Sequence, residues 1–384
     1  MIDSRRASIL ERSADNLSAE KLETTMKITG HHMDAVHVNH RGDWVFITIE
    51  TDEGLSGIGE MRAGKSYEPQ LEAAREMLDG LKGRDPREIG QIYHDLHEVA
   101  RDRVDGFAIS AIEPALWDIL GKSLDAPVYR LLGGSNASEI RLYANINRAT
   151  TERTPEGFAA NAAEAVRQGF DAVKLAPFDG LPGNVDSASE AGNGIACMEA
   201  VRDAIGPDTD LLIDCHSRFS VKGSLEVADA LRPLNLYWFE QPTSETDRAA
   251  CLEVNARCGM TTAGGEQRMF REDWTEVFEH GTMDVIMPDV TVVGGIAELK
   301  TVADAAAAWG IPTAPHGPFG PIAIATHLHV MAACPSSTIL EYGWGEVPWR
   351  HDLMQPAEKI SNGRVKISDR PGLGFELNQD TLEA

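Results

Sequence analysis

DLLIDCH (210–216), LYWFEQ (236–241) and MTTAGGE (260–266) are three short stretches that close on or just after an acid: Asp214, Glu240 and Glu266. The steps from 214 to 240 and from 240 to 266 are both 26 residues. That interval is what one strand, one helix and two short loops consume, so the spacing sets the three carboxylates at the C-terminal ends of successive parallel strands. A single acid after a strand is ordinary loop polarity. Three in register point to hard oxygen ligands converging on one divalent cation.

The same texture continues on both sides. IRLYANI (140–146), DAVKLA (171–176), DVIMPD (284–289), IPTAPH (311–316) and TILEYG (338–343) complete a set of eight strand candidates. Between them lie Ala-rich amphipathic stretches such as ELKTVADAAAAWG, in which Gly310 supplies a helix stop. Strand and helix alternating in this way predict an α/β fold, a (β/α)8 TIM barrel over residues 141–349, with its polar site at the C-terminal strand ends. Upstream, WVFITIE (44–50) and the turn at Gly54 read as an antiparallel start. Helical spacing over 69–82, 86–101 and 106–123 then makes residues 26–140 an α+β domain. Residues 350–384, containing RVKISDRPGLGFEL, are expected to return across that first domain. Residues 1–25 are polar and charged without an apolar run, and read as an N-terminal extension rather than a signal peptide or membrane span.

Composition limits the partners. Of 384 residues, 60 are Asp or Glu against 35 Lys or Arg, a formal net charge of −25 that repels nucleic acid and anionic membrane surfaces. A small-molecule partner is expected, and an anionic one must meet local positive charge from metal and lysine. The five cysteines are odd in number and form no paired C-x-x-C pattern, which indicates reduced thiols and a cytoplasmic setting. GGSNAS, from Gly133, lacks the fingerprint of a phosphate loop.

The strand ends give a consistent inventory: Lys174, Asp214 with His216, Glu240, Glu266, Asp289, His316 and Glu341. Alternation along a strand lets Asp214 and His216 face the site together while Cys215 turns away as a buried filler. Three carboxylates without a cysteine ligand favour Mg2+, with Mn2+ as a substitute, over zinc. Such a cation could hold a substrate carboxylate whose second oxygen Lys174 shares, stabilising the charge that builds up when a neighbouring proton is removed. His316 is the candidate base, oriented by Asp289. His216 is open between a proton-transfer role and support of the adjacent ligand. Glu341 is open between bonding the substrate carboxylate and neutralising nearby cations.

These strings, together with AISAIEPALWDILGKSLDAPVYRLLGG (108–134), PDVTVVGGI (288–296), TAPHGPFGPIA (313–323) and ILEYGWG (339–345), resemble the mandelate racemase subgroup of the enolase superfamily over nearly all of residues 26–384. The resemblance implies an α+β N-terminal capping domain over a modified barrel and a homo-oligomer. It also implies Asp214, Glu240 and Glu266 as Mg2+ ligands, His316 with Asp289 as the base dyad, and Glu341 at the substrate carboxylate. Racemases of the subgroup resemble K-x-K on the second strand, whereas here Lys174 is followed by Leu175 and Ala176. Two-base racemisation is therefore disfavoured. The segment Asp214, His216, Arg218 is similar to that of aldonate dehydratases of the galactonate and mannonate type, where the histidine is the leaving-group acid. Dehydration of a sugar acid to a 2-keto-3-deoxy acid is the reaction the resemblance implies. The alternatives are a cycloisomerase or epimerase using the same enediolate, or a non-catalytic sugar-acid-binding protein. His37, His40 and Arg41, followed by Arg62 and Lys65, fall where substrate-reading loops of the capping domain are expected.

Overall fold

The computed structural model describes residues 25–40, 42–64 and 66–382. The chain opens with an antiparallel sheet of β1 (Ile28–Asn39), β2 (Gly42–Thr51) and β3 (Ser56–Met61), with β2 in the middle. β2 is buried on both faces. Val45, Ile47 and Ile49 pack on the capping domain's own helices, while Trp44 and Phe46 pack on the barrel side with Phe319, Ile322 and Leu353. The sheet is thus a filling layer, which accounts for the unbroken apolar run from Trp44 to Ile47.

The helices are α1 (Glu68–Leu81), α2 (Ile89–Val99), α3 (Arg103–Ser123) and the short α4 (Val128–Leu131). Asp102 caps α3 by accepting from the amides of Val104 at 2.8 Å and Asp105 at 3.2 Å. α3 lies so close to β3 that a Cβ on Gly57 or Gly59 would stand 2.0 Å from the carbonyl oxygens of Ala115 or Ala111. Only glycine permits that approach.

The barrel follows as β4 (Glu139–Asn145), α5 (Pro155–Arg167), β5 (Ala172–Leu175), α6 (Gly192–Ile205), β6 (Asp210–Asp214), α7 (Val221–Leu231), β7 (Trp238–Glu240), α8 (Arg248–Arg257), β8 (Thr262–Gly264), α9 (Thr275–His280), β9 (Val285–Ile286), α10 (Ile296–Ala308), α11 (Pro321–Ala333) and β10 (Leu340–Gly343). Thr154, Ser220 and Asp247 each cap the helix that follows them with a side-chain oxygen. Strands β4 to β9 pair in parallel in chain order, and β10 pairs with β4.

The expected seventh strand over 311–316 differs: among the described residues it is reduced to Thr313, which bridges to Ile286 on one side and Ser337 on the other. Pro312 and Pro315 flank it, and without amide hydrogens they cannot extend a ladder. One bridged residue nonetheless closes the ring.

Inside the ring, Tyr143, Ala172, Leu212, Trp238, Met287, Ala314 and Ile339 form a packed layer. Strand period two places the next inward-facing residues one layer nearer the C-terminal mouth: Asn145, Lys174, Asp214, Glu240, Asp289, His316 and Glu341. The polar site therefore rests on an apolar plug.

The last segment contributes β11 (Met354–Gln355), β12 (Ile360–Ser361), β13 (Arg364–Lys366) and β14 (Glu376–Leu377). β13 pairs antiparallel with the start of β4, so the tail also extends the barrel rather than only crossing the first domain. It meets α3 as well, where Asp118 accepts from the Leu373 amide at 2.7 Å and Lys122 lies 2.7 Å from Glu376. Two further buried carboxylates join the capping domain to barrel helices. Glu113 accepts from the amides of Ile296 at 2.7 Å and Ala297 at 3.0 Å, and Glu60 from those of Gly320 at 2.5 Å and Ala323 at 2.9 Å. Each closes the first turn of a helix whose own N-cap residue is glycine.

Candidate active site

Asp214, Glu240 and Glu266 are buried, and each offers a carboxylate oxygen within 4.8 Å of the others. Asp214 and Glu240 reach the mouth as the last residues of β6 and β7. Glu266 lies three residues beyond Ala263 rather than two, and the offset is absorbed at Gly265, whose φ of +101° suits glycine and whose Cβ would stand 2.6 Å from Trp274. Burial pushes the Glu240 carboxyl up to about 8; the Lys174 ammonium opposes this, while Asp214, Glu341 and Glu266 add to it. Such a crowd of acids in a dry site is what a bound divalent cation relieves, and an all-carboxylate donor set suits a hard ion.

Lys174 lies at the centre, with Nζ 3.0 Å from Glu240 Oε1 and 2.8 Å from Glu341 Oε1, over the Tyr143 ring at 5.2 Å. Burial disfavours its charge, but Glu240 and Glu341 outweigh burial and hold the ammonium well above the usual lysine range. Glu341 also accepts from Asn145 Nδ2 at 2.6 Å and from the Gly317 amide at 3.2 Å. Although burial works to raise it, Lys174 and His316 keep Glu341 below the ordinary carboxylate range. The geometry is that of an anion neutralising cations.

Two imidazoles flank the triad. His316 Nε2 is 2.9 Å from Glu266, and its Nδ1 is 2.7 Å from Asp289. Burial lowers its pKa, yet Glu266, Glu341 and Asp289 together push it up to about 10. At the other end of the triad, His216 Nε2 is 2.8 Å from Asp214, and Nδ1 bonds Asp179. Burial is again overcome, by Asp214 and Asp179, and His216 is pushed up to about 11. It reaches this place differently from the expected strand alternation. β6 ends at Asp214, and His216 and Ser217 take left-handed backbone, φ +45° and +58°, which turns the ring back over the ligand. Cys215 is buried, and burial raises its thiol well above the ordinary value.

A cavity of about 400 Å3 opens over these groups, lined by Lys174, Asp214, His216, Glu266, His316 and Glu341. Its far wall carries Gln70, Phe107, Asn147, Arg148 and Arg62. Ala176, where a second lysine would stand in K-x-K, also lines it. The structure does not bring every expected residue to this wall. His37 is 78% exposed at its side chain and bonds Asp43 at 2.9 Å, and His40 sits in an exposed turn. Arg218 lies outside the lining, while Arg41 and Lys65 fall outside the described residues. Asp179, Asn145 and Arg148 were missed by sequence reasoning. Asn145 shares the period-two register of the other mouth residues and was findable. Asp179 and Arg148 come from loops, where no register announces them.

Residues 157–381 match the family described as enolase C-terminal domain-like, and residues 18–133 match the mandelate racemase / muconate lactonizing enzyme N-terminal domain. The chain belongs to the enolase superfamily. Within it, the chain is similar to D-gluconate dehydratase of Thermoproteus tenax, 30% identical over 88% of this chain and 69% of that protein. It is likewise 30% identical to D-xylonate dehydratase of Haloferax volcanii, over 97% of this chain and 94% of that one. Among solved structures, a mandelate racemase/muconate lactonizing enzyme from Jannaschia sp. CCS1 superposes with a TM-score of 0.85 at 30% identity, covering 93% of this chain and 97% of that one. The capping domain over an α/β barrel is thus the superfamily's architecture. No helix among the described residues is long and apolar enough to cross a membrane.

Proposed function

We propose that the chain is a Mg2+-dependent hydro-lyase acting on an aldonate-type sugar acid. The observation that carries this reading is the pair of imidazoles, His216 and His316, each backed by its own aspartate and each bonded to a different outer acid of the triad in one cavity. Elimination needs one group to take a proton and another to give one, and this arrangement supplies both.

Mg2+ held by Asp214, Glu240 and Glu266 would supply positive charge against the substrate carboxylate and engage the acids that otherwise hold both imidazoles protonated. Lys174 adds a second cation to that carboxylate, and Glu341, itself held by the Asn145 side-chain amide, keeps the ammonium in place. His316 removes the C2 proton, Asp289 stabilises the resulting imidazolium, and the electron pair enters the enediolate. As the C3–oxygen bond breaks, His216 protonates the departing hydroxyl, which leaves as water. The enol then ketonises to a 2-keto-3-deoxy acid. Ala176 offers no second base on the opposite side, which supports elimination over racemisation.

The test is incubation of purified protein and Mg2+ with a set of aldonic, uronic and aldaric acids, assaying 2-keto-3-deoxy products with and without EDTA. An EDTA-sensitive product is expected. Turnover that yields a lactone or an epimer instead would replace elimination with cycloisomerisation or epimerisation, and binding without turnover would replace it with a non-catalytic role.

A further inference from the structure

The loop that carries His316 has little structure of its own. In HGPFGP, Pro318 and Pro321 have no amide hydrogen, and the Gly317 amide is used by Glu341. The rest of the loop is pinned by two buried polar side chains from outside the barrel strands. Glu60, near the end of β3 and 4% exposed, accepts from the Gly320 and Ala323 amides at 2.5 and 2.9 Å. Arg350, 3% exposed, donates from Nη1 to the Phe319 carbonyl at 2.6 Å and is itself held by Glu358 at 3.2 Å. The Phe319 carbonyl and the Gly320 amide are therefore both fixed, one by the C-terminal segment and one by the first domain. The fit is tight, since a Cβ on Gly320 would stand 2.6 Å from Glu60 Oε1.

Phe319 transmits this to the site. Its ring meets His316 edge-on, with centroids 5.5 Å apart and planes at 76°, and the Arg62 guanidinium lies 5.6 Å from the ring centre. Asp289 and Glu266 define the two nitrogen contacts of the imidazole, but the backbone from which the ring hangs is placed by Gly317, Phe319 and Gly320.

We infer that Glu60 is a positioning residue for the base: with Arg350 it fixes the 316–320 backbone so that Phe319 holds the His316 imidazole in line with Asp289. It acts through the loop and touches no reacting atom. The inference rests on the proposed function for its kinetic readout alone. A displacement of about 1 Å in a reacting group costs on the order of 10²-fold in rate, so losing the tether should slow proton removal without weakening substrate binding.

The experiment compares wild type, Glu60→Ala and Glu60→Gln as full-length proteins with Mg2+. It measures kcat and KM, C2 hydrogen–deuterium exchange of the sugar acid, and backbone amide exchange by mass spectrometry. Glu60→Ala is expected to lower kcat and C2 exchange together by about 10²-fold, to leave KM within about twofold, and to raise amide exchange in 316–323 but not in the strands that carry the triad. Glu60→Gln retains one acceptor oxygen and should recover part of the rate. A rise in KM at constant kcat, or unchanged C2 exchange and loop protection, would overturn the inference. If Glu60→Ala does not fold, the same split is required of Glu60→Gln. If wild type turns over no sugar acid, the proposed function fails while amide exchange in 316–323 still decides the tether.

Discussion

Asp289 Oδ2 stands 2.7 Å from His316 Nδ1, while its Oδ1 accepts from the Thr291 amide at 2.8 Å and the Thr291 hydroxyl at 2.7 Å. The aspartate is thus anchored on one side and free to serve the imidazole on the other. Burial favours its neutral form, but the His316 contact wins and holds it below the ordinary carboxylate range. Asp289→Asn keeps the shape and removes the charge that favours imidazolium. It is expected to lower kcat by about 10²- to 10⁴-fold, measured by product formation at saturating substrate. A variant that keeps its rate would remove Asp289 from the dyad.

The two imidazoles should separate by partial reactions. His216→Asn is expected to abolish elimination while C2 proton exchange persists, because His316 and Lys174 remain. Loss of both reactions would show that His216 is needed before the hydroxyl leaves. Asp179 is itself held by Arg153 at 3.0 Å and Asn147 at 3.3 Å, and its replacement by Asn should give a weaker form of the same split.

Adding Mg2+ should stabilise the fold, because three mutually repelling buried acids acquire a common partner. At one hundred times its dissociation constant the ion contributes about 2.7 kcal/mol, readable as a rise in Tm against an NaCl control. Asp214→Asn should blunt that rise. A wild-type Tm indifferent to Mg2+ would exclude the triad as a site for this cation.

Acid sensitivity should map in part to His329, which joins three segments: Nδ1 accepts from the Tyr129 amide at 3.2 Å, and Nε2 donates to the Leu373 carbonyl at 3.0 Å. Burial lowers its pKa from 6.5 to about 4. Between those values the unfolded chain binds more protons than the folded one. The histidine's contribution is therefore complete above 6.5, declines as pH falls through the window, and is lost by about 4, a total of about 3 kcal/mol. Glu60 and Glu113, each pushed up to about 7 by burial, act in the opposite direction between 4.5 and 7, so the informative quantity is a difference between proteins. Denaturant unfolding of His329→Gln from pH 4.5 to 7 should show less loss on acidification than wild type. Parallel curves would exclude His329 as a contributor.

Period two made most of the site legible. Once DLLIDCH and LYWFEQ are placed as strands, Asp214, Glu240, Lys174, Asp289, His316 and Glu341 follow from a repeating layer whose spacing the backbone imposes, whereas Glu266, one residue out of that register, was legible from the 26-residue interval alone. Asp179 and Arg148 come from loops, where no period operates, and the positions of His37 and His40 depend on how β1 ends rather than on residue type. IPTAPH misled as a strand because its apolar content hides two prolines that prevent a ladder. The turn at His216 was equally opaque, since nothing in DLLIDCH marks where the strand ends.

Glu60 and Glu113 reach from the first domain to backbone amides of the second, and Asp118 to one of the C-terminal segment. Bond-breaking groups and most of the far wall of the cavity are encoded in separate stretches of the gene, a division that invites recombination between relatives. These three carboxylates set its terms. A transplanted first domain that lacked them would leave helix ends and a tail amide bare in a dry interface, so a productive chimera has to inherit the acids along with the new wall.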